Sequence, residues 1–166
     1  MAVDFLKDSE KGMAQLRQQG AFLSVAGAER ANTMTIGWGS IGFIWKRPIF
    51  MVMVRQSRFT YELIEKTDHF TVSIPNDDRM KQALTVCGTK SGRDIDKCAA
   101  AGINFVPAQT VASPVVAGCG LYYECKIVYK QPMDQAMLLP EIQETMYANH
   151  DYHVLYYGEI AACYER

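Results

Sequence analysis

The longest apolar run in this chain extends only from Pro48 to Val54. A helix that crosses a membrane needs about 20 apolar residues, whereas a buried strand needs roughly four to eight. The run contains Val, Ile and Phe, which favour an extended backbone. It therefore predicts a central β-strand that continues to Arg55, and it argues against an association with membranes.

Much of the remaining sequence also favours β-structure. Further strands are predicted at residues 21–28, in the glycine-rich segment 32–45, and at residues 69–74, 120–130 and 152–164. Capping and helix-breaking residues predict helices at residues 9–19, 57–66, 79–86 and 94–101, and an excursion with a short helix at residues 132–149. The expected fold class is mainly β, a β-barrel with added helices, in a single domain over residues 1–166.

The charge balance argues against a broad nucleic-acid-binding surface. The chain has 17 basic and 18 acidic residues and a net charge of -1. A protein that binds nucleic acid normally carries a clear basic excess. The first ten residues contain several charges and no long apolar stretch, so neither a signal peptide nor a membrane anchor is predicted. We therefore expect a cytoplasmic protein.

Five cysteines are spread over the chain without a Cys-x-x-Cys pair. An odd count in this pattern argues against a disulfide framework and against the usual zinc sites. The three histidines also lack the spacing of metal ligands, so no metal site is predicted. We expect the cysteines to be buried apolar side chains, with a redox role for Cys87 as the alternative.

The segment Arg55-Gln56-Ser57-Arg58-Phe59-Thr60 lies where a predicted strand leads into a predicted helix. The first turn of a helix has free backbone N–H groups and a partial positive charge, which together favour an anion. Arginine adds forked donors that suit phosphate oxygens, and the two hydroxyl groups add further donors. The segment predicts a phosphate site. The alternative is that Ser57 only caps the helix and that the arginines are solvated.

A second segment, from Asn32 to Ser40, combines glycines with a tryptophan. Glycine lets a ligand approach the backbone closely, Trp38 can stack on a flat ring, and Thr35 and Ser40 can donate hydrogen bonds. The segment could therefore form a wall for an aromatic ring system. The alternative is a bulged strand with a tryptophan in the core.

Several short motifs occur together in the order and spacing of one protein family. They are Met34-Thr35-Ile36-Gly37-Trp38, Trp45-Lys46-Arg47-Pro48, Arg55-Gln56-Ser57-Arg58-Phe59-Thr60, Phe70-Thr71-Val72-Ser73, Cys87-Gly88, Ser91-Gly92-Arg93-Asp94 with Lys97, Glu124-Cys125, and His153 with Gly158-Glu159-Ile160. On these motifs, which span most of the chain, the sequence resembles the flavin reductase-like family. More narrowly, it resembles the flavoredoxin-type branch of that family.

The resemblance implies a homodimeric split barrel that binds FMN near the subunit interface. It assigns the FMN phosphate to Arg55, Ser57, Arg58 and Thr60, the flavin ring to Thr35, Ile36, Gly37 and Trp38, and the closure of the pocket to Cys87, Gly88, Lys90, Ser91 and Lys97. It also matches His153 to a histidine near the flavin and the nicotinamide, which makes His153 the candidate catalytic residue. The alternative for His153 is a strand histidine with a structural hydrogen bond.

The implied function is that of an oxidoreductase. Electrons would pass from NADH, NADPH or a protein donor through FMN to a small-molecule or protein acceptor. One departure bears on this function, because reductase members often have an alanine-asparagine-serine run where this chain has Ile36 to Ser40. Trp38 would then restrict access by nicotinamide. The alternatives are a non-catalytic FMN-binding electron carrier or sensor, a split barrel that binds another phosphate ligand such as pyridoxal phosphate, and a structural dimer module with a degenerate pocket.

Overall fold

β-Strands dominate the part of the chain that the computed structural model describes, which is residues 3–166. The strands of this part are β1 Ala21–Val25, β2 Asn32–Ile36, β3 Gly39–Ile44, β4 Arg47–Arg55, β5 His69–Ile74, β6 Phe105–Val106, β7 Val115–Val116, β8 Leu121–Pro132 and β9 His153–Glu165. Its α-helices are α1 Ser9–Gln18, α2 Phe59–Ile64, α3 Lys81–Thr89, α4 Lys97–Ala101 and α5 Pro140–Met146. The helix at Pro140 begins where the sequence predicted it.

Seven strands form one antiparallel sheet in the order β2-β1-β5-β8-β9-β4-β3, and β6 pairs with β7 separately. Residues of β2 contact residues of β4, although four strands lie between them in this order. The sheet therefore curls round on itself. A large antiparallel sheet with several helices confirms the predicted mainly-β class. Within residues 3–166, no helix is long and apolar enough to cross a membrane.

The inside of the curved sheet is filled by large apolar side chains. Leu23, Phe50, Phe70, Tyr123 and Tyr156 are fully buried there. The rings of Phe50 and Tyr123 meet edge to face, with their centroids 5.1 Å apart. Burial of one such side chain stabilises the fold by about 1.5–3 kcal/mol. This core makes the sheet a firm support for the residues on its outer face.

Strand β4 shows how the core positions a functional residue. Phe50, Val52 and Val54 are buried, whereas Met53 and Arg55 lie on the opposite face of the strand because side chains alternate along a strand. Arg55 is paired in register with His153 of β9. The pattern of the longest apolar run therefore places the first predicted phosphate ligand beside the predicted catalytic histidine.

Three helices begin later than the sequence predicted, and one of them is α3, which begins at Lys81 instead of Arg79. Helix α2 begins at Phe59, with Arg58 as the residue that precedes it, so the alternative of Ser57 as the helix cap is wrong. Helix α4 begins at Lys97 instead of Asp94, because the Asp96 carboxylate accepts hydrogen bonds from the backbone N–H groups of Cys98 and Ala99. Such a side-chain acceptor fixes the start of a helix.

Candidate functional site

Two neighbouring pockets share the side chain of Arg58. The first, called here the Trp38 pocket, has a volume of about 210 Å³ and is lined by Met34, Thr35, Ile36, Gly37, Trp38, Met53, Arg55, Arg58 and His153. The second, called the Lys90 pocket, has a volume of about 190 Å³ and is lined by Ser57, Arg58, Phe59, Thr60, Thr89, Lys90, Ser91, Arg93 and Lys97. The residues predicted for a ring line the Trp38 pocket, and Ser57, Arg58 and Thr60 of the predicted phosphate site line the Lys90 pocket. Arg55, also predicted for the phosphate, lines only the Trp38 pocket.

The guanidinium group of Arg58 is held at the junction of the two pockets. It donates hydrogen bonds to the carbonyl oxygens of Gly88, at 3.0 Å, and Cys87, at 3.4 Å. Burial lowers the pKa of Arg58 from its ordinary value, and Arg55 lowers it further, whereas Asp151 acts in the opposite direction. Arginine remains protonated in proteins, so a fixed cation lies between the pockets.

Cys87 and Gly88 were predicted to close the pocket, but they line neither the Trp38 pocket nor the Lys90 pocket. Their backbone carbonyls instead accept hydrogen bonds from Arg58, which lines both pockets, and from Lys97, which lines the Lys90 pocket. Burial raises the pKa of the Cys87 thiol to about 11, so the thiol is protonated at neutral pH. A reactive cysteine needs the thiolate form, and the structure therefore gives no support to the alternative of a redox role for Cys87.

Lys97 brings a buried ammonium group to the Lys90 pocket. Its Nζ donates hydrogen bonds to the carbonyl oxygens of Thr33 and Cys87, both at 2.9 Å. An ammonium group has three donors, so one remains for a ligand. Burial lowers the pKa of Lys97 to about 8, and Arg58 contributes to the lowering. An anion in the pocket would favour the charged form of this group.

Ser57 already binds an anionic group in the structure. Its backbone N–H and its hydroxyl donate to the two carboxylate oxygens of Asp151, at 3.3 Å and 2.6 Å. Arg55 donates to the backbone carbonyls of Asp151, at 2.6 Å, and Met146, at 3.0 Å. The carboxylate oxygens occupy the donors of Ser57 as the acceptor oxygens of a phosphate would. It also shows that Arg55 is engaged by the segment that precedes β9.

The segment Gly37-Trp38 forms an open wall of the Trp38 pocket. A Cβ atom at Gly37 would meet no atom within 4 Å, so there is room for a ligand beside this backbone. Trp38 is half-exposed rather than in the core, which contradicts the alternative of a core tryptophan. The Thr35 hydroxyl donates to the carbonyl of Leu84 at 2.6 Å, so its hydrogen is not available to a ligand. Ser40, considered with Thr35 as a donor, lines neither of the two pockets.

His153 is a buried residue that lines the Trp38 pocket. Its ring centroid lies 5.3 Å from that of Trp38, and its Nδ1 lies 2.7 Å from the hydroxyl of Tyr147. Burial lowers the pKa of His153 to about 4, and Arg55 lowers it as well, against the opposite effect of Asp151. The imidazole is therefore uncharged at neutral pH. His153 therefore has the structural hydrogen bond of the alternative interpretation, and it also lines the pocket predicted for the ring.

Several residues of the site were not predicted from the sequence. Met34 and Met53 line the Trp38 pocket from neighbouring elements, and Arg93 lines the Lys90 pocket while it donates to Glu62. Tyr147 and Asp151 reach the site from the excursion and the turn that follows it. The Ser91-Gly92-Arg93 motif was a usable signal for Arg93. No short-range signal marked Tyr147 or Asp151, because their partners are distant in the sequence or lie on another element.

Comparisons with known proteins agree with this fold. The family model described as the flavin reductase like domain matches residues 13–166. In the solved structures, the chain is similar to a flavoredoxin from Methanosarcina acetivorans, with a TM-score of 0.69 and 24% identity over 89% of this chain and 68% of that one. It is also similar to an FMN-binding protein from Thermus thermophilus, with a TM-score of 0.70 and 24% identity over 89% of this chain and 71% of that one.

An uncharacterized protein of Archaeoglobus fulgidus is 27% identical over 122 residues, which are 73% of this chain and 68% of that protein. This chain thus spans about two thirds of the length of that relative. The fold is that of the flavin reductase-like split barrels, as the resemblance predicted. The match over residues 13–166 shows that the chain belongs to the flavin reductase-like family.

The low pKa of His153 predicts a specific dependence of stability on pH. The folded-state pKa of about 4 lies below the ordinary value of 6.5, so between these values the unfolded chain binds a proton that the folded chain does not. The free energy of unfolding therefore falls as the pH is lowered from 6.5 to 4. We expect His153→Asn to remove about 1–3 kcal/mol of this fall in urea titrations.

His150→Asn is the matched control for this measurement, because His150 is an exposed histidine just before β9. This control should show the same fall in stability as the unchanged protein. An equal fall in the His153→Asn variant would contradict the buried, uncharged state of His153.

Proposed function

We propose that this chain binds FMN across the two pockets, with the phosphate in the Lys90 pocket and the ring in the Trp38 pocket. The observation that carries the proposal is the position of Arg58, which lines both spaces. FMN joins a phosphate to an aromatic ring system. The polar Lys90 pocket and the aromatic Trp38 pocket adjoin at Arg58, so together they match these two parts of FMN. The name of the similar Thermus thermophilus protein supports the same cofactor.

The donors of the Lys90 pocket suit a phosphate monoester. Arg58, Lys90 and Lys97 supply positive charge, and a phosphate monoester carries about -1.5 to -2 charge at neutral pH. Thr60 is buried, and its hydroxyl oxygen accepts a hydrogen bond from Asn32 at 2.9 Å, so the hydroxyl hydrogen can be directed to a ligand. The Lys90 pocket therefore offers charge and hydrogen-bond donors together.

The walls of the Trp38 pocket suit a flat ring. Trp38 provides an aromatic surface, Gly37 gives access to the backbone, and Met34 and Met53 provide polarizable thioethers that pack well against aromatic rings. His153 adds an uncharged polar group to this surface, and Arg55 and Arg58 line the same pocket with positive charge. A pocket that combines apolar and aromatic walls with a few fixed polar groups is typical of a cofactor site.

We further propose that the protein is an oxidoreductase that takes electrons from NADH, NADPH or a protein donor and passes them to a small-molecule or protein acceptor. Bound flavin would supply the redox chemistry, and the protein would supply the position and the electrostatic environment. Arg58 and Lys97 would bind the phosphate, Trp38 would exclude water from one side of the ring, and His153 would hold an uncharged polar group beside it.

A non-catalytic electron carrier or sensor is the second candidate, and the position of Trp38 favours it. The Trp38 ring lies beside His153 and lines the pocket, with 5.3 Å between the two ring centroids. A nicotinamide that approached a bound flavin on this side would compete with the indole ring for space. A carrier that receives electrons from another protein does not need that space. Binding of a different phosphate ligand, such as pyridoxal phosphate, would use the Lys90 pocket without the need for the Trp38 wall.

We also propose that the protein forms a homodimer in the cytoplasm. Apolar side chains are strongly exposed on the single chain, among them Phe43, Trp45, Met137 and Leu139. Exposed apolar groups of this kind are common at interfaces between subunits. Sedimentation equilibrium should give twice the mass of the chain, and a monomer at micromolar concentration would contradict the proposal.

If the FMN phosphate and the flavin ring occupy separate pockets, substitution of Arg58 should weaken the binding of FMN more than the binding of riboflavin. Arg58→Gln removes a half-buried cation that would make charge-assisted hydrogen bonds, each worth about 1.5–3 kcal/mol. We expect the affinity for FMN to fall by about 10- to 100-fold, and the affinity for riboflavin, which lacks the phosphate, to fall much less. Fluorescence titration with both flavins measures this difference. Arg79→Gln, outside both pockets, should change neither affinity, whereas equal losses in Arg58→Gln would argue against a phosphate at this position.

The Asp151 carboxylate competes with a phosphate for the donors of Ser57. Asp151→Asn removes a negative charge near Arg55 and Arg58 with little change in size. We expect the affinity for FMN to rise by about twofold to fivefold, because an exposed charge interaction is worth up to about 1 kcal/mol. The affinity for riboflavin should stay the same. Asp134→Asn, within the excursion, is the control, and a loss of FMN affinity in Asp151→Asn would exclude this competition.

Anaerobic mixing of the FMN-loaded protein with NADH, and separately with NADPH, tests the proposed oxidoreductase activity. We expect the flavin absorbance to bleach with at least one of the two nucleotides. A protein that holds FMN but bleaches with neither would be the electron carrier of the second candidate. In that case, Trp38→Ala should allow the flavin to bleach if the indole ring blocks the approach of the nicotinamide.

A further inference from the structure

The hydroxyl of Tyr147 is directed at one nitrogen of His153. Tyr147 follows helix α5 and is 2% exposed, and its oxygen lies 2.7 Å from Nδ1 of His153. The two rings are perpendicular, with their centroids 5.6 Å apart. Within residues 3–166, this is the one hydrogen bond of the Tyr147 hydroxyl. The contact therefore joins the excursion to the Trp38 pocket.

The ring of Tyr147 is fixed from two directions. It stacks on Tyr152 with an angle of 17° between the planes and 5.3 Å between the centroids. The guanidinium carbon of Arg55 lies 5.0 Å from the centroid of the Tyr147 ring, a distance typical of a cation–π contact. A side chain held by stacking and by a cation has little freedom to move its hydroxyl away from His153.

The hydrogen bond has a preferred direction. An uncharged imidazole has one nitrogen that donates and one that accepts. If Nδ1 donated, the buried Tyr147 hydroxyl would have no acceptor for its own hydrogen, at a cost of about 1–3 kcal/mol. If the hydroxyl donates to Nδ1, its hydrogen is paired and the imidazole hydrogen lies on Nε2. The second arrangement leaves no buried donor without a partner.

The other nitrogen of His153 is accessible to a ligand. Nε2 makes no hydrogen bond to any residue in the described part of the chain, and it is not among the buried polar atoms there that lack a partner. His153 lines the Trp38 pocket. A hydrogen on Nε2 would therefore be available to an acceptor atom in that pocket.

We propose that Tyr147 is a positioning residue that donates its hydroxyl hydrogen to Nδ1 of His153 and so fixes His153 as an uncharged Nε2–H donor to the Trp38 pocket. The ligand atom that this donor recognises is a hydrogen-bond acceptor, such as a carbonyl oxygen or an unprotonated ring nitrogen of a flat heteroaromatic ligand. The assignment of that ligand as flavin rests on the proposed function. The position of the hydrogen on the imidazole of His153 does not depend on the proposed function.

Imidazole nitrogen resonances of the flavin-free protein test this proposal directly. Long-range proton–nitrogen correlation spectra of the histidine-labelled protein distinguish a protonated ring nitrogen from an unprotonated one. The chain has three histidines, and the signals of His153 are identified by their loss in His153→Asn. We expect, near neutral pH, an unprotonated Nδ1 and a protonated Nε2. A hydrogen on Nδ1 in the unchanged protein would overturn the proposal without any variant.

Two tyrosine variants isolate the hydroxyl contact. Tyr147→Phe keeps the aromatic ring but removes the donor, so the Nδ1 signal of His153 should shift towards the position of a nitrogen without a hydrogen bond. Tyr152→Phe is the matched control, because the Tyr152 hydroxyl contacts Gln135, Gln143 and His150 instead of His153, so that only the His150 signals should change. The control should leave the His153 signals in place. An unchanged Nδ1 signal in Tyr147→Phe, or an equal shift in Tyr152→Phe, would refute the role of the hydroxyl.

Addition of FMN separates this proposal from the proposed function. If both hold, FMN shifts the Nε2 signal of His153 in the unchanged protein. If the protein takes up no FMN while the hydrogen remains on Nε2, the proposed cofactor is wrong and the role of Tyr147 stands. If FMN binds while the hydrogen is found on Nδ1, the proposed cofactor stands and the role of Tyr147 is wrong.

Discussion

The hydrogen bonds between Arg58 and the backbone at the end of α3 organise the candidate site. The guanidinium group lies between the two pockets, and the carbonyls of Cys87 and Gly88 hold it there. The Cys87 carbonyl also accepts a hydrogen bond from Lys97, so one peptide segment positions two cations. Without these contacts, the polar Lys90 pocket and the aromatic Trp38 pocket would have no common charged group.

The chain between β8 and β9 completes the site from the other side. Tyr147 contacts His153, and Asp151 binds the backbone and side chain of Ser57. The contact of Asp151 with Ser57 is at the surface, and it joins a charged carboxylate to uncharged donors. A ligand phosphate with more charge and more acceptor oxygens can therefore replace the carboxylate. The contact between Tyr147 and His153 is buried, and its loss would leave polar groups without partners.

The sequence predicts the parts of this structure that depend on local patterns. The apolar run of β4 indicates a central strand, and the alternation of its side chains directs Arg55 away from the core. The predicted ring and phosphate residues lie in adjoining pockets. The role of Ser57 could not be predicted in this way, because a partner 94 residues away decides it. The same applies to Thr35, whose hydroxyl contacts the backbone of α3.

The family motifs identify Cys87 and Gly88 as residues of the site, but only the structure shows that they act through their carbonyl groups. The motifs also identify His153 without its partner Tyr147, because residues 132–149 carry no motif of the family. Side chains that reach the site from such a segment depend on tertiary packing. Sequence patterns of short range do not contain that information.

A crystal structure of the protein with FMN would test the central claim most directly. We expect the phosphate oxygens within hydrogen-bond distance of the Arg58 guanidinium and of Lys97 Nζ, with the flavin ring against Gly37 and Trp38 and the Asp151 carboxylate displaced from Ser57. FMN found with its phosphate away from Arg58, or with its ring outside the Trp38 pocket, would contradict the assignment of one ligand to the two pockets.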